Sequence, residues 1–401
     1  MIRKSLKIKQ FGPIHEGLVE NDGYIPFSKV MIFCGPQGAG KSSVAKLYST
    51  LSWIEKVLMR GDFNEKYLTQ YNRFVKSYCT YQNIHNYFRD DTYLHYRGDA
   101  YDLIYENGHL RAIMHGNNQY LRPQIIYIPA ERNILSVLEK AENVKGLPAA
   151  LNTLMDEFTA ACRNMKTDIE LPINDVRFRY DKLNKLSWIE STDYTVRLSE
   201  SSSGMQSITP LYVVLDYLSR TIGANDVAKS QKEREAIRKR IDELLKDDSL
   251  DAETRKLLIG QTSDTSNKYL LSIVEEPEQN LYPSSQQQIL NRLLAINSAE
   301  HNQLVMTTHS PYIINYLSLA IKAAEVKKRL SSERLEELDK IVPITSTIDG
   351  DDVNVYEVTD DGRIVTLEKY DDMPSDINQL NVHLSKCNDL FGQLLEIEDS
   401  L

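Results

Sequence analysis

The stretch VMIFCGPQGAGKSS at residues 30–43 is an apolar run that breaks into glycines and continues as a helix. It fits the pattern G-x-x-x-x-G-K-[ST] at each fixed position, with Gly35, Gly40, Lys41 and Ser42. Glycines allow the positive φ angles that turn backbone N–H groups into a concave anion site. The first turn of the following helix adds its partial positive charge at the same place. The stretch therefore predicts a phosphate-binding loop between a strand and a helix.

Each side chain of this loop has a chemical task. Lys41 reaches the β- and γ-phosphates of a nucleotide, and the Ser42 hydroxyl is a ligand for magnesium. An ordinary glycine-rich turn is the alternative, and the strand–loop–helix context argues against it. The predicted nucleotide-binding residues are Gly35, Pro36, Gln37, Gly38, Ala39, Gly40, Lys41, Ser42 and Ser43.

Composition narrows the class of protein. The 401 residues can bury a sizeable core, and a net charge of −10 argues against a surface that coats itself broadly with nucleic acid. A local basic groove remains compatible with that charge. No run of about 18 apolar residues is present, the basic start of the chain lacks the apolar core of a signal peptide, and the four cysteines are scattered. We expect a cytoplasmic protein without a membrane span.

Two other apolar strands end in side chains suited to nucleotide hydrolysis. The strand at 269–274 ends in Glu275 and Glu276. Of two such acids, one can hold the magnesium shell and the other can orient or deprotonate the attacking water. His309 follows the strand at 303–308, and we expect it at the same sheet edge, in contact with the γ-phosphate.

Two further stretches have an open interpretation. Arg132 follows the apolar strand at 125–128 and is a candidate site residue, since ligands bind where such strands end; an arginine paired with Glu131 to steady the loop fits equally well. The serine-rich segment 199–207 precedes a helix. It could expose N–H and hydroxyl donors to an anion, or it could be a plain N-cap.

The rest of the chain predicts strands, helices and one insertion. The tyrosine-rich stretch 67–116 favours half-buried strands over a surface that stacks on bases, with a hairpin at Asn107 and Gly108. The charged stretch 225–268 indicates an inserted helical hairpin. Further strands are predicted at 5–11, 17–20, 177–180, 186–190, 194–198, 355–358 and 364–367, and helices after Lys41 and at 135–162, 210–218 and 379–397.

The ordered set of motifs resembles the ABC-type ATPase heads of the RecF, SMC and OLD group. It comprises the loop at 35–42 (Walker A), the Ser203-Gly204-Met205-Gln206 signature, the acidic strand end at 274–278 (Walker B) and Thr308-His309-Ser310. The resemblance implies an α/β P-loop NTPase with a mixed sheet, an antiparallel β subdomain and an inserted helical hairpin. It implies one head made of an N-terminal lobe (1–66), a β-rich and helical subdomain (67–198), a signature helix (199–224), the hairpin (225–268) and a C-terminal lobe (269–401).

The resemblance also implies roles for single residues. Glu276 matches the catalytic base and His309 the switch histidine, beside Lys41. Glu275 matches the magnesium-shell acid, with Ser42 as the other metal ligand, although the usual residue there in transporters is Asp. The remaining residues match the signature that contacts ATP held by a second subunit, which implies a homodimer or higher homo-oligomer around ATP: Ser203, Gly204 and Gln206. Gln82 and Gln119 are candidates for the Q-loop glutamine.

The family's role depends on a partner. OLD proteins usually carry a Toprim nuclease domain, and Asp349 and Asp351 lack the upstream acidic strand end that such a domain needs. A chain that is all ATPase head resembles the ATPase subunits of bacterial antiphage systems such as PARIS and Septu. This implies a Mg-dependent ATPase whose dimerisation controls a separate nuclease. The alternatives are an ATP-bound assembly scaffold with little turnover and a RecF-like DNA-repair ATPase that contacts nucleic acid directly.

Overall fold

The computed structural model describes residues 4–63, 65–115, 120–138, 144, 146–223, 241–246, 250–263 and 266–399. The strands are β1 (Ser5–Phe11), β2 (Gly17–Leu18), β3 (Tyr24–Pro26), β4 (Val30–Cys34), β5 (Phe88–Arg97), β6 (Tyr101–Glu106), β7 (His109–Met114), β8 (Pro123–Ile128), β9 (Ile169–Glu170), β10 (Arg177–Asp181), β11 (Leu186–Glu190), β12 (Thr195–Arg197), β13 (Tyr269–Glu275), β14 (Gln303–Thr308), β15 (Val353–Val358), β16 (Arg363–Thr366), β17 (Lys369–Tyr370) and β18 (Met373–Pro374). The helices are α1 (Lys41–Arg60), α2 (Glu65–Thr69), α3 (Ile134–Val137), α4 (Ala149–Asn164), α5 (Ser203–Thr221), α6 (Ala252–Ser263), α7 (Pro283–Ile296), α8 (Pro311–Arg329), α9 (Leu335–Asp339) and α10 (Gln379–Glu398).

A seven-stranded mixed sheet forms the centre of the molecule. Its strand order is β2-β16-β15-β4-β14-β13-β8. The five strands from β15 to β8 are parallel to their neighbours, while β16 runs antiparallel to β15. β4 and β13 are buried along their whole length, as expected for parallel strands that are covered by helices on both faces.

Two apolar cores lie on the two faces of this sheet. Alternate residues of β4 divide between them, with Val30 and Ile32 in one core and Met31 and Phe33 in the other. The first core holds apolar residues of α4, α5, α7 and α8, and the second holds those of α1. This three-layer arrangement confirms the α/β fold class.

Two antiparallel sheets flank the central one. The first has the order β3-β1-β5-β6-β7 and the second the order β12-β11-β10-β9. They confirm the antiparallel β part of the fold. No helix in the described part of the chain is both long and apolar enough to cross a membrane.

The structure corrects several local predictions. The helix expected at 135–162 consists of two helices, α3 and α4, with Leu138 already extended. Pro148 immediately precedes α4, and proline disfavours helix for the residue before it. The start of the tyrosine-rich stretch is helical from Glu65 to Cys79, apart from a non-helical kink at Tyr71 and Asn72, and its strands begin only at Phe88. Of the hairpin predicted at 225–268, residues 225–240, 247–249 and 264–265 lie outside the described residues.

The signature helix α5 begins at Ser203 and continues through Pro210, whereas the sequence indicated a helix from 210. Proline has no N–H to donate to the carbonyl four residues earlier, here that of Gln206. The Ser136 hydroxyl donates to this carbonyl oxygen at 2.6 Å. A side chain of α3 therefore satisfies the acceptor that Pro210 leaves free.

Candidate nucleotide-binding site

The predicted site residues lie at one edge of the central sheet because three parallel strands end there. Thr308 at the end of β14 pairs with Cys34 at the end of β4, and Glu275 at the end of β13 pairs with Thr307. The glycine-rich loop, His309 and the acidic pair follow directly from these ends. The structure thus brings together the three motifs at the strand tips.

The loop after β4 needs its glycines. Gly35, Gly38 and Gly40 have φ angles of 133°, 79° and 112°, in a region that side chains disfavour. A Cβ atom on Gly35 would lie 2.2 Å from the main-chain oxygen of Val358. The strand β15 therefore packs so closely against the loop that only glycine fits at position 35.

Lys41 opens α1 and folds back over this loop. Its Nζ donates to the carbonyl oxygens of Gly35 at 2.9 Å and Pro36 at 2.7 Å, and it lies 3.4 Å from Nδ1 of His309. Burial lowers the pKa of Lys41 to about 8, against the opposing effect of the Glu276 carboxylate. The ammonium group therefore lies in a position where a phosphate would favour its charged form.

Glu276 and His309 form a contact across the two strand ends. The Nε2 of His309 lies 3.5 Å from Oε1 of Glu276. The hydrogen bond from His309 lowers the pKa of the Glu276 carboxyl, with the positive charges of Arg132 and Lys41 adding to the effect. Glu276 has a φ of 43°, which is uncommon for a side chain larger than Asn or Asp. The carboxylate is thus held ionised and half-exposed at the sheet edge.

Glu275 points to the buried side of the same edge. Its Oε2 accepts a hydrogen bond from the N–H of Ala130 at 3.2 Å, while its Oε1 is buried without a hydrogen-bond partner among the described residues. Burial and the Glu275 carboxylate both raise the pKa of Tyr127. The hydroxyl of Thr307, which pairs with Glu275 in the sheet, likewise has no hydrogen-bond partner in the described part of the chain. Buried polar atoms nearly always have a hydrogen-bond partner, so Oε1 of Glu275 and the Thr307 hydroxyl are suited to binding a ligand.

A hard cation fits this donor set. Magnesium prefers oxygen ligands and usually keeps one or two from the protein, with phosphates and water completing the shell. Ser42, half-buried at the start of α1, and the free oxygen of Glu275 are donors of this type. Among the residues that the structure describes, no group of three or more His, Cys, Asp or Glu side chains could hold a metal. Oxygens of phosphate and water would complete the shell of a magnesium ion held by these two donors.

Glu278 supports the histidine segment. Its Oε1 accepts from the Thr308 hydroxyl at 2.7 Å and from the N–H of His309 at 2.8 Å. Burial raises the pKa of this carboxyl. The sequence placed Glu278 in the acidic motif and assigned it no role. In the structure, its hydrogen bonds hold the backbone and side chain at the end of β14 in place.

Arg132 is completely buried and does not form the carboxylate pair that the sequence offered as an alternative. Its guanidinium donates to main-chain oxygens, those of Glu275 and Glu276 at 2.7 Å each and that of Ser207 at 3.1 Å, with a longer bond to Pro129 at 3.3 Å. Burial lowers its pKa to about 10, and the nearby glutamates counteract this. Arg132 thereby joins the signature helix to the acidic strand end.

The signature segment forms the start of α5. Ser202 is the N-cap, and its hydroxyl accepts from the N–H of Met205 at 3.4 Å. Ser203 is exposed, and a Cβ on Gly204 would lie 2.9 Å from the main-chain oxygen of Asn280. The Gln206 amide donates to two carbonyl oxygens of the preceding loop at 3.0 Å. Within one chain, Gln206 therefore braces the loop, while Ser203 faces solvent.

Three other candidates lie away from the site or outside the described residues. Gln82 is buried, and its amide donates to the Ser49 hydroxyl at 3.4 Å, eight residues and about 12 Å along α1 from Lys41. Gln119 lies outside the described residues. Asp349 pairs with Lys328 at 2.5 Å in an acidic turn.

One comparison with known proteins identifies a family. The sequence model of the AAA ATPase domain matches residues 65–314, more than half of the chain. A comparison with curated proteins gives no match.

Several solved structures are similar to this chain. The SMC head domain from Thermotoga maritima is 13% identical, with 78% of this chain and 91% of that chain covered and a TM-score of 0.34. An Smc head domain derived from Pyrococcus furiosus is 10% identical over 97% and 98%, with a TM-score of 0.38. A nucleotide-free ATP-binding cassette from an ABC transporter is 13% identical over 93% of each chain, with a TM-score of 0.29. The family match over residues 65–314 shows that the chain belongs to the AAA ATPase domain family.

Proposed function

We propose that this chain is a Mg-dependent ATPase that dimerises around ATP and uses the closed dimer to switch a partner protein. One observation carries the proposal: Lys41, His309 and Glu276 form a continuous chain of contacts of 3.4 Å and 3.5 Å at the carboxyl edge of the sheet. A cation for the phosphates and a carboxylate for the water therefore lie on either side of one imidazole.

The side chains have distinct tasks in this proposal. Glu276 is the base that orients and deprotonates the attacking water, and its lowered pKa keeps it ionised near neutral pH. Lys41 leaves the carbonyls of the loop to bind the β- and γ-phosphates. A magnesium ion held by Ser42 and Glu275 would neutralise phosphate charge. His309 links the base to the γ-phosphate side of the site.

The surface of the site supports dimerisation. Gln37 and Gly38 at the tip of the phosphate loop are exposed, and so is Ser203 at the start of α5. In a head-to-tail pair, Ser203 and Gly204 of one copy would contact ATP held on the loop of the other. Helix N-termini suit that contact, because they present N–H groups and partial positive charge to an anion.

The partner is proposed from the resemblance alone. ATPase subunits of the PARIS and Septu type act with a separate nuclease, so a nuclease effector in antiphage defence is the partner we propose. The alternative is an assembly scaffold that binds ATP at the same site and hydrolyses little of it. Phosphate release from the wild type beside Glu276→Gln distinguishes the two: a release at least tenfold higher in the wild type supports turnover, and equal, negligible release supports the scaffold.

Dimerisation around ATP is tested by mass in solution. Glu276→Gln should retain ATP, so its mass should rise with Mg-ATP at a protein concentration low enough for the nucleotide-free protein to be monomeric, and the additional change Ser203→Arg should abolish the rise. Ser332→Arg is the matched control, because Ser332 is an exposed serine beyond the far end of α8. A rise that survives Ser203→Arg contradicts the head-to-tail arrangement.

A second candidate function, direct contact with nucleic acid, is favoured by the outer face of the sheet β3-β1-β5-β6-β7. The pairing register sets Lys7 opposite Tyr24 and His95, and Lys9 opposite Tyr93. Their strand neighbours point inward and are buried. Arg97 and Arg111 also belong to this face, together with the acids Asp102 and Glu106 and the apolar side chains Ile104 and Ile113. The face therefore combines cations and aromatic rings on a chain that is acidic as a whole.

The sequence predicted that the tyrosines of this region are half-buried in a sheet. Tyr96, Tyr101 and Tyr105 lie in the strands but are buried more deeply than predicted, with at most 4% of their surface exposed, whereas Tyr93, on the outward face, is half-buried. Affinity for duplex DNA that falls steeply with salt, and falls further in Lys7→Glu, Lys9→Glu, supports the second function. Equal affinity in that variant and the wild type excludes this face.

A further inference from the structure

The last helix, α10, stands away from the body of the protein. Its first turn is attached: the N–H of Gln379 donates to Oε1 of Glu357 at 2.7 Å, Asn381 contacts Asn315, and Leu380 packs against the core. From Val382 to Asp399 the described side chains are exposed except for the half-buried Gly392. The helix therefore extends from the body by about five turns.

This extended part carries a broad apolar face. At 100° per residue, the large apolar residues from Leu390 to Ile397 fall within a stripe about 160° wide. Cys387 lies on the same stripe, and Val382 lies outside it. The exposed fractions of the large apolar residues in the stripe are 51% for Leu390, 62% for Phe391, 62% for Leu394, 45% for Leu395 and 59% for Ile397.

An apolar helix face of this kind is normally packed against another apolar surface. In α8, a helix of similar length, Ile313, Ile314 and Leu317 lie on the core side and are at most 1% exposed. Most of the stability of a protein helix comes from packing of its apolar face, and isolated helices of this length are marginal in water. The same pattern in α10 therefore indicates a helix that packs against another molecule.

The charges around the stripe narrow the choice of that molecule. Asp389 and Glu396 lie on the opposite side of the helix, Lys386 lies at the border of the stripe, and the stripe is uncharged up to Glu398 in its last turn. A membrane surface is disfavoured, because helices that lie on membranes are rich in Lys and Arg on their polar face. Two copies of this chain, each with a net charge of −10, can meet along an uncharged stripe without like charges opposing each other.

The position of α10 also favours a second copy. Glu357, which accepts the hydrogen bond from Gln379, is paired with Cys34 at the end of β4. The helix thus begins at the carboxyl edge of the sheet, one strand away from the phosphate loop. In the proposed function, a second copy docks at this edge, so the choice of occupant rests on that proposal.

We propose that α10 packs against the α10 of a second copy and holds two chains together without ATP. A two-fold axis would bring the same stripe of both chains into contact, as in most homodimers. The contact would keep the second head close, so that ATP has only to close the heads against each other.

The test is the mass of the nucleotide-free full-length protein at micromolar concentration. The wild type should have twice the 46.0 kDa of one chain, and Phe391→Glu, Leu394→Glu should halve this mass. The matched control Ser385→Glu, Gln393→Glu adds the same charges outside the stripe, at two exposed positions, and should stay dimeric. Because glutamates could unfold the helix, Phe391→Ala, Leu394→Ala is the second variant: it keeps helix propensity and should weaken the dimer at least tenfold.

Two outcomes overturn the inference: a wild type that is monomeric without nucleotide, or an unchanged mass in both stripe variants. Its failure is distinguishable from failure of the proposed function. Phe391→Glu, Leu394→Glu combined with Glu276→Gln should be monomeric alone and associate again with Mg-ATP. If the nucleotide-free mass halves but Mg-ATP does not restore it, the α10 contact stands and closure around ATP fails.

Discussion

The Nη2 atom of Arg132 donates to the main-chain oxygen of Glu276 at 2.7 Å, so a buried guanidinium holds the backbone of the proposed base. The same side chain binds the carbonyl of Ser207 in α5. Any shift of the signature helix would therefore change the support of Glu276. Arg132 is a positioning residue in this view, since it touches main chain on both sides.

Replacing Arg132 should lower turnover more than nucleotide binding. Arg132→Lys cannot supply the planar fork of donors, so we expect the kcat for ATP to fall about 10- to 100-fold through misplacement of Glu276, with KM nearly unchanged. Arg132→Met leaves buried carbonyls unpaired, each at a cost of about 1–3 kcal/mol, and should lower the melting temperature. Steady-state kinetics and thermal denaturation measure both effects.

The neighbouring Glu131 provides the control for Arg132. Its side chain is exposed, so Glu131→Ala should keep both turnover and stability. A merely structural arginine would lower the melting temperature and leave the kcat of the folded fraction intact. A normal kcat in Arg132→Lys would therefore contradict the positioning role.

The strands of the site were predictable from the sequence because each is a continuous apolar run. β4, β13 and β14 follow directly from such runs, and the parallel order of the sheet then brings Lys41, Glu276 and His309 to one edge. Local residue types and spacing were sufficient for this part of the site.

Contacts between distant segments were not predictable in the same way. Three of the four bonds of Arg132 go to main-chain oxygens more than 70 residues away, and every residue has such an oxygen, so the sequence does not indicate which one is the partner. The exposed stripe of α10 has the periodicity of a buried helix face, so only the fold distinguishes the two cases. Gln82 resembled a site residue by type, while its partner is Ser49 on α1.

ATP binding should be coupled to proton uptake by Lys41. Its pKa of about 8 without phosphate leaves a neutral fraction at pH 8.5, and the negative phosphates should raise that pKa. We therefore expect proton uptake at pH 8.5 that is absent at pH 6.5. Titration calorimetry in buffers of different ionisation enthalpy measures it.

Lys41→Arg is the control for this uptake, because arginine stays protonated throughout. The lowered pKa of Lys41 also predicts how the free energy of unfolding changes with pH. The unfolded chain binds more protons between pH 8 and the ordinary lysine pKa near 10.5, so the wild type should gain stability relative to Lys41→Arg as pH rises through this window. Equal proton uptake in both proteins would contradict the assignment to Lys41.

Two glycines of the phosphate loop should respond differently to alanine. Both have positive φ angles, but a Cβ on Gly35 meets the Val358 oxygen at 2.2 Å, while a Cβ on Gly38 has no atom within 4 Å. Gly38→Ala should cost about 1–2 kcal/mol of backbone strain, and Gly35→Ala clearly more, because β15 must move. Urea denaturation of both variants compares them, and equal losses would show that β15 does not press on the loop.

His309 should set the acid limb of the pH–rate profile. Its hydrogen bond is the main cause of the lowered pKa of Glu276, so His309→Ala should raise that pKa and move the loss of kcat/KM to higher pH. His309→Gln keeps a neutral donor and should shift the limb less. The lowered pKa of Glu276 also makes the folded state more stable at higher pH. A depressed carboxyl pKa stabilises the fold above the pKa of the unfolded chain, and this stabilisation is lost as pH falls. If the acid limb of His309→Ala coincides with that of the wild type, Glu276 is not the group whose ionisation limits turnover.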